Sequence, residues 1–213
     1  MDDSLLRVDE IFILGNKKTK EKIILREMSL KRGIYSTLDD IKKSIELDKI
    51  NIINTNLFNT VSIDILEDSE KASINIFVQV DERWYFFPTP LLDIADRNLM
   101  DWLINREGDI NRFNYGLRLT QYNLVGQNKT LKFIGKVGFE RNLLIDYMNP
   151  FIDKDQKHGL GFIYSYNESE NASYITKDHV PDFFDSDVIN KKQYFASTSY
   201  TYRPSFYNFH QIS

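Results

Sequence analysis

Side chains that could perform acid–base or nucleophilic chemistry are few and scattered in this sequence of 213 residues. Cysteine is absent, which excludes thiolate nucleophiles, thiolate zinc sites and disulfide bonds. The three histidines, His158, His179 and His210, are far apart and fall in predicted turns or loops. No Gly-x-Ser-x-Gly, His-Glu-x-x-His or phosphate-binding glycine motif occurs. We therefore predict that the chain is not an enzyme and uses no cofactor.

One acidic segment offers ligands of the type that calcium prefers. It contains Asp178, His179, Asp182, Asp185 and Asp187. Their spacing does not match that of an EF-hand loop, whose ligands follow a fixed order. The sequence favours a solvated loop here, and we predict no metal site.

The overall charge and composition narrow the class of protein. The 31 acidic residues outnumber the 27 basic residues, which gives a formal net charge of -4. No excess of positive charge is available to hold nucleic acid, so nucleic acid is not predicted as a partner. Aromatic residues make up 14% of the chain, although its mean hydropathy is only -0.41. This combination is typical of β-structure with one face in water.

The first part of the chain carries strand and helix patterns in the order β-α-α-β-β. Leu5 to Leu14 reads as a strand, and the turn dipeptide Gly15-Asn16 ends it. Thr19 is predicted to cap a helix that runs to about Met28. Lys31-Arg32-Gly33 is the predicted C-terminal signal of that helix, because glycine adopts the left-handed conformation without steric cost.

A second helix has a stronger start signal. Thr37 is followed three residues later by Asp40, which is the spacing of a hydroxyl cap and a returning carboxylate. The helix is predicted to run to Asn54 and to bury one apolar face, made by Leu38, Ile41, Ile45 and Ile52. We expect this face to pack on a sheet.

Two alternating segments complete this part of the chain. Phe58 to Leu66 places Val61, Ile63 and Ile65 on one side, which predicts a half-buried strand. Ile74 to Val80 continues the period of two, as a central strand would. We predict an α+β domain at residues 1–83.

Beyond Arg83 the helical periodicity disappears, and alternating segments rich in Tyr, Phe, Leu and Gly follow. There are about six such segments, beginning with Trp84 to Ile94. Large apolar groups lie on one side of them and charged residues on the other, namely Arg118, Lys132, Lys136 and Glu140. In a transmembrane β-barrel the charged side faces the lumen and the apolar side faces lipid. The alternative is the exposed face of a soluble β-sandwich.

Connection lengths favour the barrel. The turns Gly126-Gln127-Asn128 and Lys154-Asp155-Gln156 are short, whereas the segment from Glu168 to Asn190 is long. Outer-membrane barrels have short turns on the periplasmic side and longer loops outside. Residues 84–213 are therefore predicted to form antiparallel transmembrane strands.

An aromatic run, Trp84, Tyr85, Phe86 and Phe87, opens this second part. Aromatic side chains are enriched where a membrane meets water. We predict that the run lies at the membrane interface; the alternative is that it fills an ordinary core.

Several short motifs occur in an order that resembles a known family. In the first part they are Gly15-Asn16 with Thr19, Arg26-Glu27, Leu57-Phe58 with Val61, and Glu82-Arg83; in the second they are Pro88 to Asn98, Asn114-Tyr115-Gly116 and Tyr122-Asn123. The chain resembles the Omp85 superfamily (BamA/TamA-like, bacterial surface antigen), in a single-POTRA form associated with Bacteroidetes. Residues 1–83 are similar to a POTRA domain, and residues 84–213 resemble the N-terminal strands of the family's outer-membrane β-barrel.

Two departures from the family pattern stand out. Asn56 occupies a position where the family usually has Gly, and Asn is tolerated because it enters the left-handed region readily. So few strands also cannot close a barrel, because both sheet edges would leave backbone groups unpaired in hydrocarbon. The chain is therefore expected to be truncated, without a signal peptide and without most of the barrel.

The resemblance implies a binding edge. POTRA domains are similar to other open mixed sheets in having an edge strand that can pair with an incoming extended segment. Here that edge is predicted to be Phe58 to Leu66, with six client-binding residues: Phe58, Val61, Ser62, Ile63, Asp64 and Ile65. Clients would then enter the membrane through a barrel seam at Trp84 to Ile94. The alternative is a structural strand guarded against pairing.

The function implied by the resemblance is assembly or insertion of outer-membrane proteins, or polypeptide translocation. The implied partners are unfolded or extended outer-membrane client polypeptides, outer-membrane lipid and accessory assembly proteins. The implied localisation is the bacterial outer membrane, with the POTRA module in the periplasm. Two alternatives stay open: the transport or anchor part of a patatin-like phospholipase fusion, and a soluble two-domain β-rich binding protein.

Overall fold

The computed structural model describes residues 5–68, 70–95, 98–105, 107–169, 173–177, 180–183, 191–204 and 210–213. Contacts divide the chain into two compact units. The first contains the described residues up to Tyr85 together with Asn123–Lys129. The second contains the described residues of Phe86–Tyr122 and those from Thr130 onward. A domain boundary at residue 83 stays a prediction from the sequence.

The first unit consists of four strands and two helices. In chain order it contains β1 (Leu6–Leu14), α1 (Glu21–Glu27), β2 (Tyr35–Ser36), α2 (Leu38–Asn54), β3 (Phe58–Asp68) and β4 (Ser73–Glu82). The strands form one sheet in the order β2-β1-β4-β3. Strands β1 and β4 are parallel, and the other pairs are antiparallel. The predicted order of the main elements and the central place of β4 are confirmed, and the short strand β2 is an addition.

The core of the first unit lies between the helices and one face of the sheet, called here the inner face. Alternation along β4 buries its even-numbered residues from Ile74 to Val80 on this face. The helices contribute Ile23, Ile24, Ile41, Ile45 and Ile52. Each such side chain stabilises the fold by about 1.5–3 kcal/mol through removal from water.

Helix α1 does not use the cap predicted for it. Its N-cap is Lys20, which makes no side-chain cap hydrogen bond. Thr19 is buried, and its hydroxyl donates to the carboxylate of Glu82 at the end of β4, at 2.6 Å. The prediction that Thr19 caps the helix is wrong, because a distant partner holds its hydroxyl.

The C-terminal signal of α1 is also different from the predicted one. The helix ends at Glu27, and the N–H groups of residues 29 and 30 donate to the carboxylate of Asp48 on α2, at 2.6 and 3.2 Å. Gly33 has a φ of 84°, but its N–H donates to the carbonyl of Val8 in the connection to β2. The prediction that Gly33 caps α1 is wrong, because the helix already ends where the next N–H groups, those of residues 29 and 30, donate to Asp48.

Helix α2 has the start and the apolar face that the sequence predicts. The Thr37 hydroxyl accepts the N–H of Asp40 at 3.3 Å and donates to the Asp40 carboxylate at 2.9 Å. Ile41, Ile45 and Ile52 are buried. Asp48 is fully buried on the same face, which the apolar pattern does not reveal.

The remainder of the chain is mainly strands. In chain order these elements are β5 (Phe86–Ile94), α3 (Leu99–Asn105), a 3-10 turn (Ile110–Arg112), β6 (Phe113–Leu124), β7 (Lys129–Gly138), β8 (Glu140–Asn149), β9 (His158–Ser169), β10 (Ser173–Lys177), β11 (Val180–Phe183), β12 (Lys191–Tyr202) and β13 (His210–Ile212). Seven of them form one antiparallel sheet in the order β13-β12-β9-β8-β7-β6-β5, and this sheet is not closed. Strands β10 and β11 form a separate hairpin. The predicted antiparallel strands are confirmed, with β13 as an addition.

Among the described residues, none of the helices combines the length and the apolar character needed to cross a membrane.

Candidate functional site

Strand β3 lies at the end of the first unit's sheet, and in the described part of the chain it pairs only with β4. Two backbone hydrogen bonds fix the direction of the β4 backbone groups: Arg7 donates its N–H to Ala72 O at 3.1 Å, and Arg83 donates its N–H to Leu57 O at 3.1 Å. Even-numbered residues of β4 therefore turn their backbone groups towards β1, and odd-numbered residues turn theirs towards β3.

The register of β3 then shows which of its backbone groups face outward. Phe77 pairs with Asp64, and Gln79 pairs with Ser62, so both β3 residues bond to β4. The intervening residues turn N–H and C=O away from β4, and these are Val61, Ile63 and Ile65. The edge thus presents a row of backbone donors and acceptors, as pairing with an added strand requires.

The side chains of the six predicted client-binding residues divide into three groups. Ile63 and Ile65 are half-buried on the inner face, and Ser62 and Asp64 are exposed on the opposite, outer face. Val61 is buried, so it can offer only its backbone to a client. The ring of Phe58 is likewise buried in the core at the start of β3, so the predicted role of Phe58 is also limited to its backbone.

A buried polar cluster in the first unit is absent from the sequence predictions. We call Thr19, Glu82, Tyr85 and Asn123 the Thr19 cluster. The Thr19 hydroxyl donates to Glu82 at 2.6 Å and accepts from Asn123 Nδ2 at 2.8 Å. The Tyr85 hydroxyl lies 3.2 Å from Thr19 Oγ1 and donates to Leu57 O at 2.8 Å. The Gly15-Asn16 motif lies just before Thr19, and Glu82 of the Glu82-Arg83 motif belongs to the cluster, but no sequence rule connects Thr19 with a residue 104 positions away.

Tyr85 corrects part of the prediction for the aromatic run. Its side chain is only 3% exposed and belongs to the Thr19 cluster, so it does not lie at a membrane interface. Burial raises the pKa of the Tyr85 phenol, and the nearby Glu82 carboxylate acts in the same direction, because both disfavour the phenolate. The tyrosine is therefore a neutral hydrogen-bond donor at physiological pH.

The other three aromatic residues are exposed but differ in direction. Trp84 is 67% exposed. In the β5–β6 pair Phe86 is opposite Gln121 and Phe87 is opposite Thr120, so the two rings lie on different faces of the sheet. Phe87 shares the face of Arg118. The role of Trp84, Phe86 and Phe87 at the membrane stays a prediction.

The turn Asn123–Lys129, which connects β6 to β7, packs within the first unit. Asn123, Val125 and Asn128 have positive φ angles, and Asn123 Oδ1 accepts the N–H of Asn128 at 2.9 Å. The Gly126 carbonyl accepts the N–H of Lys20 at 2.9 Å. A Cβ on Gly126 would lie 2.0 Å from the carbonyl oxygen of Lys18, so only glycine fits this approach.

The four charged residues predicted to face a lumen share one face of the seven-stranded sheet. Lys136 is opposite Asn142, and Lys132 is opposite Asp146, which places both on the face of Glu140. Arg118, Lys136 and Glu140 line one concavity of about 340 Å³. Lys136 forms an ion pair with Asp93 at 2.9 Å. That this face lines a lumen stays a prediction, because the sheet is not closed.

The opposite face of this sheet is rich in exposed apolar side chains. They include Tyr115, Leu117, Phe133, Val137, Leu160 and Phe162. A soluble sheet would bury such a face, and a lipid-facing strand leaves it exposed.

The two histidines in the described part of the chain, His158 and His210, belong to no metal site. His158 begins β9 and His210 begins β13, in strands and not in the predicted turns. The acidic segment from Asp178 to Asp187 falls outside the residues whose side chains the structure describes. Elsewhere in the described ranges, no group of three or more His, Asp or Glu could hold a metal ion.

Comparison with known proteins addresses the fold and the family. The POTRA family model (surface antigen variable number repeat) matches residues 6–83. A candidate outer membrane protein assembly factor of Treponema pallidum (strain Nichols) is 36% identical over 77 residues, which are 36% of this chain and 9% of the relative. Residues 6–83 are therefore similar to a POTRA module.

The fold of the whole chain also has a solved counterpart. BamA from Haemophilus ducreyi lacking POTRA domains 1-3 superposes with a TM-score of 0.62 at 18% identity, over 97% of this chain and 34% of that chain. CdiB from Acinetobacter baumannii is a weaker match, with a TM-score of 0.46 at 12% identity. The chain thus spans about a tenth of the curated relative and about a third of BamA. The predicted fold, a POTRA module followed by antiparallel strands, is confirmed. The predicted family of the whole chain and its localisation in the outer membrane stay predictions.

Proposed function

We propose that this chain is part of an outer-membrane assembly or translocation factor, in which the POTRA edge strand β3 captures extended client polypeptides. The single observation that carries the proposal is the row of outward backbone groups at Val61, Ile63 and Ile65. Pairing through the backbone accepts almost any extended sequence, and each bond contributes about 0.5–1.5 kcal/mol. Such an edge suits a factor that handles many clients.

The side chains beside this edge add a mild preference. A client strand added to β3 would place alternate residues on the inner face, next to the half-buried Ile63 and Ile65. Its other residues would lie on the outer face, next to Ser62 and Asp64. Segments that alternate between apolar and polar residues fit this edge, and barrel strands alternate in this way.

Release into the membrane is the second half of the proposal. Strand β5 is the end of the seven-stranded sheet and pairs only with β6 in the described part of the chain. It is thus the strand at which a client could be added to the barrel, as the sequence predicts for Trp84 to Ile94. Clients, lipid and accessory assembly proteins are its proposed partners.

A proline substitution on β3 tests the capture step. Ile63→Pro removes an N–H that points away from β4, so the β3–β4 ladder keeps its bonds and we expect the chain to fold. Ile63→Ala is the matched control, because it removes the side chain and keeps the N–H. Binding of a labelled extended Val/Thr peptide, measured by fluorescence anisotropy, should weaken about twofold to tenfold in the proline variant relative to the alanine variant.

A second position guards against local misfolding. Glu67 also lies at an outward-facing position of β3, and its side chain is exposed, so Glu67→Pro disturbs the core less than Ile63→Pro. Its control is Glu67→Ala. If both proline variants fold and bind the peptide as tightly as their alanine controls, β3 does not capture clients through its backbone.

A further inference from the structure

The outer face of the POTRA sheet carries an exposed apolar band. Phe12 on β1 stacks on Phe77 of the neighbouring strand β4, with ring centroids 5.0 Å apart. Leu14 extends the band along β1, and Leu66 extends it onto β3. Phe12, Leu14 and Leu66 are 45%, 50% and 60% exposed, so none of the three is covered by the helices. We call these four residues the Phe12 band.

Carboxylates lie beside this band. Asp64 is opposite Phe77 on the same face, and Asp81 follows two pairs further along the two strands. Both are exposed. The outer-face pair that separates Asp64 from Asp81 is Ser62 and Gln79, and neither residue is basic. At the other end of the face Asp68 forms an ion pair with Lys71 at 3.3 Å, whereas in the described part of the chain neither Asp64 nor Asp81 forms one.

A partner on this face must satisfy its own backbone hydrogen bonds. The N–H and C=O groups of a sheet lie within its plane, so the outer face offers side chains and no backbone partners. An extended segment lying across the face would leave its own backbone groups unpaired against the apolar band. A helix satisfies its backbone internally and can place an apolar stripe on the band.

We propose that the outer face of the POTRA sheet is a docking surface for a basic amphipathic helix of a partner protein. Its apolar stripe packs on the Phe12 band, and its basic residues lie beside Asp64 and Asp81. This surface is distinct from the β3 edge, because it uses side chains and the edge uses backbone groups. The negative charge also opposes adsorption to an anionic lipid surface.

The test measures binding of a helical probe to the whole chain held in nanodiscs of zwitterionic lipid, with empty nanodiscs as background. The probe is a labelled, hydrocarbon-stapled peptide with leucines on one face and lysines on the other, and anisotropy reports binding. Its counterpart carries glutamates in place of the lysines. The lysine peptide should bind more tightly than the glutamate peptide, and added salt should reduce the difference.

Variants separate this surface from the edge. Phe77→Thr should weaken binding of the lysine peptide about tenfold or more, since it removes a central aromatic anchor from a position that does not support the core. Asp64→Lys should weaken it by about fivefold, and Glu46→Lys on the exposed side of α2 should leave it unchanged. Ile63→Pro should also leave it unchanged. Phe77→Leu, which retains an apolar side chain, keeps the test valid if the threonine variant does not fold.

Three results would overturn the proposal. They are equal binding of the two peptides, binding that survives both Phe77→Thr and Phe12→Thr, and binding that is lost in Ile63→Pro. The last result would mean that the peptide binds at the β3 edge and not on the outer face. Stronger binding of the glutamate peptide, or tight binding of empty anionic nanodiscs to the chain, would point to a different occupant and equally refute the helix.

Discussion

Removal of the Tyr85 hydroxyl tests whether the Thr19 cluster is a compensated hydrogen-bond network. Tyr85→Phe removes the bond to Leu57 O, but that carbonyl keeps the bond from the Arg83 N–H. Thr19 likewise keeps Glu82 and Asn123 as partners. No buried group is left without a partner, so the free energy of unfolding should fall by about 0.5–1.5 kcal/mol, below the 1–3 kcal/mol expected for a stranded buried group.

The assay is a urea titration of the whole chain, followed by tryptophan fluorescence. Trp102→Phe removes the only other tryptophan, so that Trp84, next to Tyr85, reports on the first unit. With an m-value of about 1–3 kcal/mol per M urea, the expected loss lowers the midpoint by roughly 0.5 M. Tyr35→Phe is the control, because Tyr35 is exposed and its substitution should leave the midpoint unchanged.

Two outcomes would refute this account of the cluster. A Tyr85→Phe midpoint equal to that of Tyr35→Phe means that the hydroxyl contributes nothing. A loss of more than about 3 kcal/mol means that the remaining partners do not compensate.

Three further predictions concern the first unit. Because the pKa of Tyr85 is raised in the folded state, the unfolded chain loses the phenolic proton first as the pH rises. The free energy of unfolding should therefore fall above about pH 10, and it should fall less in Tyr85→Phe. Identical pH profiles of the two proteins would contradict this prediction. Asp48→Leu removes the acceptor of two N–H groups, that of Leu30 being buried and that of Ser29 part-buried, and should cost about 2–5 kcal/mol in urea unfolding. Asp48→Asn keeps one acceptor and should cost clearly less; equal losses would show that the carboxylate does not act as a cap. In Gly126→Ala the new Cβ would clash with the carbonyl oxygen of Lys18, so this variant should have a lower thermal midpoint than Gly33→Ala. Gly33 has a similar φ but open space where its Cβ would lie. Equal shifts of the midpoint would mean that the close approach at Gly126 is not rigid.

Where local rules suffice, the sequence predicts the structure well. The hydroxyl-and-carboxylate spacing at Thr37 and Asp40 gives the start of α2, because both partners lie within one helical turn. The alternation from Phe58 to Leu66 gives a half-buried strand, because a period of two places every second side chain on one face. The order of such elements, with the motifs within them, was enough to indicate the family.

Local rules fail where a side chain has a distant partner. Thr19 has the type and position of a helix cap, yet its hydroxyl bonds to Glu82 and Asn123, which are far away in the sequence. Asp48 interrupts an apolar helix face, where a charged residue predicts exposure, yet it is fully buried because it caps the end of α1. The placements of Thr19 and Asp48 have one physical cause: a hydrogen-bond partner brought close by folding outweighs a local preference of about 1 kcal/mol.

The sequence by itself determined most of the element types and indicated a family resemblance and a candidate edge strand, since these follow from periodicity, turn residues and the order of motifs. The tertiary structure alone decided which β3 residues turn their backbone outward, because that depends on the register against β4. It also decided that Tyr85 is a buried donor and not an interfacial ring, and that Phe12 and Phe77 stack on an open sheet face. Such contacts join residues distant in the chain, and only the packed sheet defines them.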